Sequence, residues 1–443
     1  MQYIGPQISF ALWWHIVSAT RAGHIWALVT VPSLLTTAAI WYLGRSRDNC
    51  VFGVFRPTLP GIFVIANVCT MLLPSAFFFE IAGEDVRYRY LLGVALAPVL
   101  GSVGACAAGL AFLKTRRLGF WHQPLHVSPD SERRLRLTVL GCALASVVLV
   151  AWYLLTAPYV PLLGSLRGYG GTRPDDVRFA IYRAGDFIIF TYALVNRFLL
   201  PVGLLWSYFL ARRSPRRIWK WVFVAWFAAT LVVALLSFER QNPAAVLAAI
   251  GFATVGYARR VPWLRLATLA VGLLVIGGFV SLAQYNSRLD RASLPSAFRT
   301  FGVNRVVVDP SYMTWALLEQ YPAATPPYLG RTTRAVKLLG VQYAEGLTAI
   351  GYLADLWVNF HAVGLFLGPF LIGAFLRAVE ETLFGVRTQA REIVHVLYSL
   401  ATAWLMYTNA IATMTVVVFV FGIGLMWYCD PKAHVRAGLQ PVA

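Results

Sequence analysis

The run GYLADLWVNFHAVGLFLGPFLIG, residues 351–373, decides how the chain is read. It is apolar and glycine-bearing, yet it carries an acid, Asp355, and an amide, Asn359, where a membrane helix would enter lipid. Spacing i, i+4 puts both on one helix face, with Tyr352 one turn earlier. A carboxylate near lipid depth is costly unless it faces a polar cavity, which marks Asp355 as a functional candidate. An acid that is hydrated, or paired to an arginine on a helix extending above the bilayer, is the plainer alternative. Gly364 and Gly368 further along have the spacing of a helix-packing pair.

Outward from this run the chain keeps the same apolar character. Of its 443 residues 58% are hydrophobic and only 13% charged, and the mean hydropathy is +0.64. Apolar runs recur at about the ~20 residues needed to cross a ~30 Å hydrocarbon core. They lie near 3–20, 24–43, 60–79, 90–113, 137–157, 187–211, 219–238, 243–257, 266–284, 350–376, 393–407 and 411–428. This pattern predicts an all-α polytopic membrane protein with about twelve transmembrane helices. No polar stretch is long enough for a separate soluble core, so 1–443 reads as a single membrane domain. The first residues, MQYIGPQISF, have no basic region ahead of their apolar part, and no cleaved signal peptide is expected.

The net charge is +19, and four of the 38 basic residues are lysine: Lys114, Lys220, Lys337 and Lys432. Such a bias in a membrane protein reads as the positive-inside rule, not nucleic-acid binding. Segments 45–56, 114–136, 212–220, 258–265, 377–392 and the tail from Asp430 hold 22 Lys and Arg, against 8 in the short segments of the opposite side. That asymmetry places the first group, with both termini, in the cytoplasm. Two segments then fall outside: 158–186, and a large loop, 285–345, expected to carry short helices such as 310–321.

The outer loops are where binding chemistry is expected. The larger holds Arg288, Arg291, Arg299, Arg305, Arg331, Arg334 and Lys337, on a face where basic residues are normally sparse. Guanidinium groups are planar, permanently charged and matched to phosphate oxygens. A solvated loop or an anchor for anionic lipid is the alternative. At 237–243, SFERQNP, a polar hairpin with Glu239 and Arg240 joins two apolar runs, and Pro243 opens the next helix. Arg240 is either an ordinary turn residue or a clamp held by two helix ends. Arg197 lies inside an apolar run, where it either snorkels or lines a cavity.

The five cysteines show no CxxC pairing, and His122 and His126 have no further ligand at metal spacing. There is no phosphate-binding Walker loop, no GxGxxG after a strand and no G-x-S-x-G elbow.

In its C-terminal half the chain resembles the bacterial oligosaccharide repeat-unit (O-antigen type) polymerases. The likeness rests on SFERQNP before a helix, on SYMTWALLEQYP and Tyr328-Leu329-Gly330 in the outer loop, and on Asp355, Trp357, Asn359-Phe360 and Gly364. Two positions depart from the pattern: the acid is more often Glu in that family, and His361 stands where the family has glycine after the Asn-Phe pair.

The resemblance implies inverting glycosyl transfer at the outer face of the inner membrane between a polyprenyl-diphosphate-linked glycan donor and a lipid-linked acceptor. A chain-length regulator and a flippase would be partners, and no metal or other cofactor is required. Asp355 would be the base, while Arg240, Arg299 and Arg305 would hold the diphosphate. Arg178, Arg288, Arg291, Arg331, Asn359, Tyr312 and Glu239 would be the further substrate contacts. O-antigen ligases share the architecture, and a non-enzymatic flippase of lipid-linked glycans would also be arginine-lined, so both stay open.

Overall fold

A computed structural model describes residues 10–43, 45–46, 49–50, 58–81, 84–111, 120–156, 160, 191–236, 241–258, 262–269, 271–272, 275–276, 309–321, 326–329, 351–406 and 413–430. Apart from a two-residue hairpin, Arg45–Ser46 with Asn49–Cys50, its regular elements are helices. Among the described residues seven helices are long and apolar enough to cross a membrane: Arg21–Leu43, Leu59–Glu80, Val86–Ala111, Pro129–Thr156, Thr191–Arg213, Ile218–Leu236 and Tyr352–Leu383. Asn242–Tyr257 and Val418–Cys429 are shorter apolar helices. The chain is thus a helical membrane protein.

We label the helices used below α1 (Leu59–Asn67), α2 (Glu84–Ala111), α3 (Pro129–Thr156), α4 (Leu200–Arg213), α5 (Gln241–Tyr257), α6 (Asp309–Gln320), α7 (Tyr352–Leu383) and α8 (Gln389–Trp404). The start of α1 is fixed by Thr58, whose hydroxyl accepts from Gly61 N at 3.2 Å, and by Pro60, whose missing N–H is harmless in a first turn. Helix α1 runs on into a π turn, Val68–Leu72, before Pro74.

The core of the bundle is α2 against α7. A Cβ on Gly104 would lie 2.0 Å from the Phe370 carbonyl oxygen, and one on Gly373 would lie 2.0 Å from that of Gly101. Only glycine permits so close a backbone approach, which is how small residues pack helices in a medium that offers no hydrophobic drive.

Two sequence expectations change here. The crossing placed at 350–376 is not one straight helix: His361 has φ 49° and ψ −135°, and α7 is two helices joined at that residue. Gly364 and Gly368 accordingly pack within α7, since their Cβ positions would fall 2.3 Å from the Leu356 carbonyl oxygen and from Leu356 Cδ1. The first half, 352–360, is folded against the second and at ~1.5 Å per residue is only about 13 Å long, too short to span. The second half is about 33 Å long and continues to Leu383, so residues 377–383, read as loop, are helix.

Four of the segments grouped by charge onto one side, 114–136, 212–220, 377–392 and the tail from Asp430, meet at one end of the bundle. Arg213 at the end of α4, Tyr257 at the end of α5 and Arg387 before α8 all bond Glu392. Arg387 also donates to the carbonyls of Trp121 and Gln123, and Asp430 accepts from Ser131 and Thr388. Leu59 N donates to Glu380 Oε2 at 2.6 Å, which ties the start of α1 to the same end.

Candidate functional site

The opposite end carries Asp355, Asn359 and Tyr312. Asp355 is 7% exposed and Asn359 3%, and Asn359 Nδ2 donates to Asp355 O at 3.0 Å and to Asp355 Oδ1 at 3.2 Å. The shared helix face inferred from their spacing is therefore a direct contact. The acid is enclosed by protein and does not face acyl chains.

The half-helix that bears it is held from three directions. Tyr352 Oη donates to Asn67 Oδ1 on α1 at 2.6 Å, and Asn67 Nδ2 donates to Phe63 O at 2.9 Å. Tyr352 N donates to Leu405 O at the end of α8 at 3.0 Å. Trp357 Nε1 donates to Tyr321 O, just past α6, at 2.9 Å.

The break at His361 leaves carbonyls without their helical partners, and a second segment takes them up. Tyr328 N donates to Val358 O at 3.2 Å and Leu329 N to Asn359 O at 2.9 Å. Leu329 has φ 52°, so two left-handed residues face each other across this seam. The His361 ring stacks on Tyr321 at 5.8 Å and meets Trp357 edge-on at 5.0 Å.

Helix α6, the one expected at 310–321, is a docked element. Ser311, Met313, Thr314 and Leu317 are buried. Ser311 Oγ shares a hydrogen bond with Tyr90 and donates to Met71 O at 2.9 Å, a carbonyl in the π turn after α1. Tyr312 lies half-buried between Phe78 and Trp315 at 5.5 and 5.6 Å, in an aromatic cluster and not alone on an open surface.

Of the site residues expected from sequence, the structure brings together Asp355 and Asn359 and places Tyr312 on the neighbouring α6. Glu239, Arg240, Arg178, Arg288, Arg291, Arg299, Arg305 and Arg331 lie outside the described residues, as do nearly all of 158–186 and most of 285–345.

The structure adds Arg89 and Asn67, which sequence reasoning did not select. Arg89, in α2, stands 5.7 Å from the Trp357 ring centroid, two residues from Asp355. Tyr352 had been noted for its spacing alone, and its anchor, Asn67, gave no signal beyond being an amide in an apolar run. Arg197 sits in a π turn, Val195–Leu199, over the Trp404 ring at 5.9 Å. Trp404 and Leu405 are consecutive, so the Arg197 pocket and the Asp355 half-helix adjoin the same end of α8.

Among the described residues no group of three or more His, Cys, Asp or Glu is placed to hold a metal ion. The chemistry available here is that of a buried carboxylate, an amide that orients it, and arginines within the same end of the bundle. No family model matches the sequence, and no curated protein or solved structure matches it.

Proposed function

We propose that this chain is a polymerase of polyprenyl-diphosphate-linked oligosaccharide repeat units. It would carry out inverting, metal-independent glycosyl transfer at the outer face of a bacterial inner membrane, with about twelve crossings and the Glu392 end in the cytoplasm. The observation that carries this reading is the buried Asp355–Asn359 pair on a half-helix at the end of the bundle opposite the Glu392 cluster. An intramembrane acid retained inside protein is the arrangement expected of a site and not of scaffold.

A second observation supports the family resemblance. His361 occupies a left-handed backbone conformation that glycine adopts most readily, and it stands where the resembled family has glycine. The substituted position is thus one whose backbone suits the family residue.

In this mechanism Asp355 accepts the proton of the acceptor hydroxyl as that oxygen attacks C1 of the donor sugar, and the C1–O bond to the diphosphate breaks. Asn359 holds the carboxylate through Oδ1. Arg240, Arg299 and Arg305 stabilise the charge on the departing diphosphate, each such donor being worth about 10²-fold in rate. Donor and acceptor both remain lipid-linked until transfer.

The test separates base from scaffold. Asp355→Asn keeps the shape and the contact with Asn359, so donor binding is retained while chain extension falls by about 10²–10⁴-fold. Full-length polymer from an Asp355→Asn strain would remove this residue from the chemistry. Mass spectrometry of glycans from a deletion strain separates the classes: single repeat units displayed outside for a polymerase, long lipid-linked polymer for a ligase, units trapped inside for a flippase.

A further inference from the structure

Arg197 is a cation set in a spanning segment, Thr191–Arg213, and among the described residues it makes no hydrogen bond or ion pair, only a ring contact with Trp404. No carboxylate among those residues pairs with it. The residue before it, Asn196, is 2% exposed, and its Oδ1 has no hydrogen-bond partner. Both line one cavity, partly open to its surroundings, whose remaining wall is apolar and includes Ala245, Leu400, Trp404 and Val418.

An ionised side chain at membrane depth without a counter-charge is strongly disfavoured, and such residues mark ligand or ion sites. The backbone points the same way. Val195–Leu199 is a π turn, a costly local insertion that recurs at functional sites and here re-aims one residue of an otherwise α-helical span.

We infer that Arg197 and Asn196 form a binding site for a phosphate ester carried on an apolar chain. The guanidinium supplies the charge-assisted contact to the phosphate oxygens. The Asn196 carbonyl oxygen accepts from the hydroxyl of a singly protonated phosphate. The apolar wall takes the first part of the tail, which a free anion would leave unused. The Trp404 face holds the guanidinium in place when the site is empty. This site stands on its own observations and does not rest on Asp355 acting as a base.

The experiment is binding to the purified full chain in neutral detergent, with four probes: farnesyl phosphate, phosphatidic acid, farnesol and inorganic phosphate. Farnesyl phosphate, phosphatidic acid or both should bind at least about tenfold tighter than farnesol and than inorganic phosphate. Which of the two phosphates prevails identifies the tail, isoprenoid or diacyl. Arg197→Gln should abolish the preference over farnesol, and Arg197→Lys should retain part of it. Without ligand, Arg197→Gln should melt no lower than wild type, because it removes an unpaired cation from the membrane.

Equal affinity for farnesyl phosphate and farnesol, an unchanged preference in Arg197→Gln, or inorganic phosphate binding as tightly as its lipid esters would each overturn the proposal. If Arg197→Gln is not recovered folded, Ala245→Leu, which fills the cavity beside Arg197, takes its place, and an unchanged preference in that variant overturns the proposal equally. Asp355→Asn should bind all four probes as wild type does, so this result and the polymerase reading stand or fall separately.

Discussion

The two ends of the bundle treat charge in opposite ways. At one, Glu392 is fully buried and accepts from Arg387 Nε at 2.7 Å, from Tyr257 Oη at 2.8 and 2.7 Å, and from Arg213. Burial pushes its carboxyl up, and the two guanidiniums pull it back down. Around it Glu380 meets His395 at 3.4 Å, and Arg377 pairs with Glu381. At the other end Asp355 is oriented by an amide, Arg197 stands over a ring facing a cavity, and α7 is broken at His361. Closed ion-pair networks lock elements together. Arg197, held by a neutral ring, keeps its charge available to a ligand.

The largest effect that would sharpen this contrast is expected at the closed end. Glu392→Ala leaves Arg213 and Arg387 without their buried counter-charge, which costs about 3–5 kcal/mol. The readout is the apparent melting temperature and folded yield in detergent, and a variant as stable as wild type would show that the network is not a clamp. A smaller loss is expected at the open end from Tyr352→Phe. It removes the donor to Asn67 Oδ1 and leaves that buried acceptor unmatched, for about 1–3 kcal/mol. A change of the same size as that of Glu392→Ala would erase the distinction between the two ends.

How much of this was legible beforehand follows from what sequence encodes locally. Apolar runs located the seven spanning helices, and four of the basic segments do converge on one end, because hydropathy and the placement of arginine are properties of each segment alone. The Asp355–Asn359 contact was legible for the same reason: it spans one helical turn. The break at His361 was not. Nothing in GYLADLWVNFHAVGLFLGPFLIG halts a helix at histidine, and the conformation exists only because Tyr328 and Leu329, more than thirty residues earlier, donate to the carbonyls it releases. The glycines were half legible, since the close approach was foreseen at Gly364 and Gly368 but the seam between helices runs through Gly101, Gly104 and Gly373. Which of two glycine sets meets a neighbour depends on helix rotation, which the spacing does not set.

The break itself offers the finest test, through a pair of variants. A non-glycine residue held at φ 49° with ψ −135° carries backbone strain of about 1–3 kcal/mol, which the contacts of the imidazole with Tyr321 and Trp357 partly offset. His361→Ala and His361→Gly both delete the ring contacts, but only glycine also relieves the strain. His361→Gly should therefore exceed His361→Ala in stability by about 1 kcal/mol, visible as a rise of a few degrees in apparent melting temperature. Equal stabilities for the two would mean that the backbone at 361 is not held left-handed. In that case α7 runs straight, Gly364 has no reason to lie against Leu356, and Asp355 sits on a continuous spanning helix instead of on a ledge beside one.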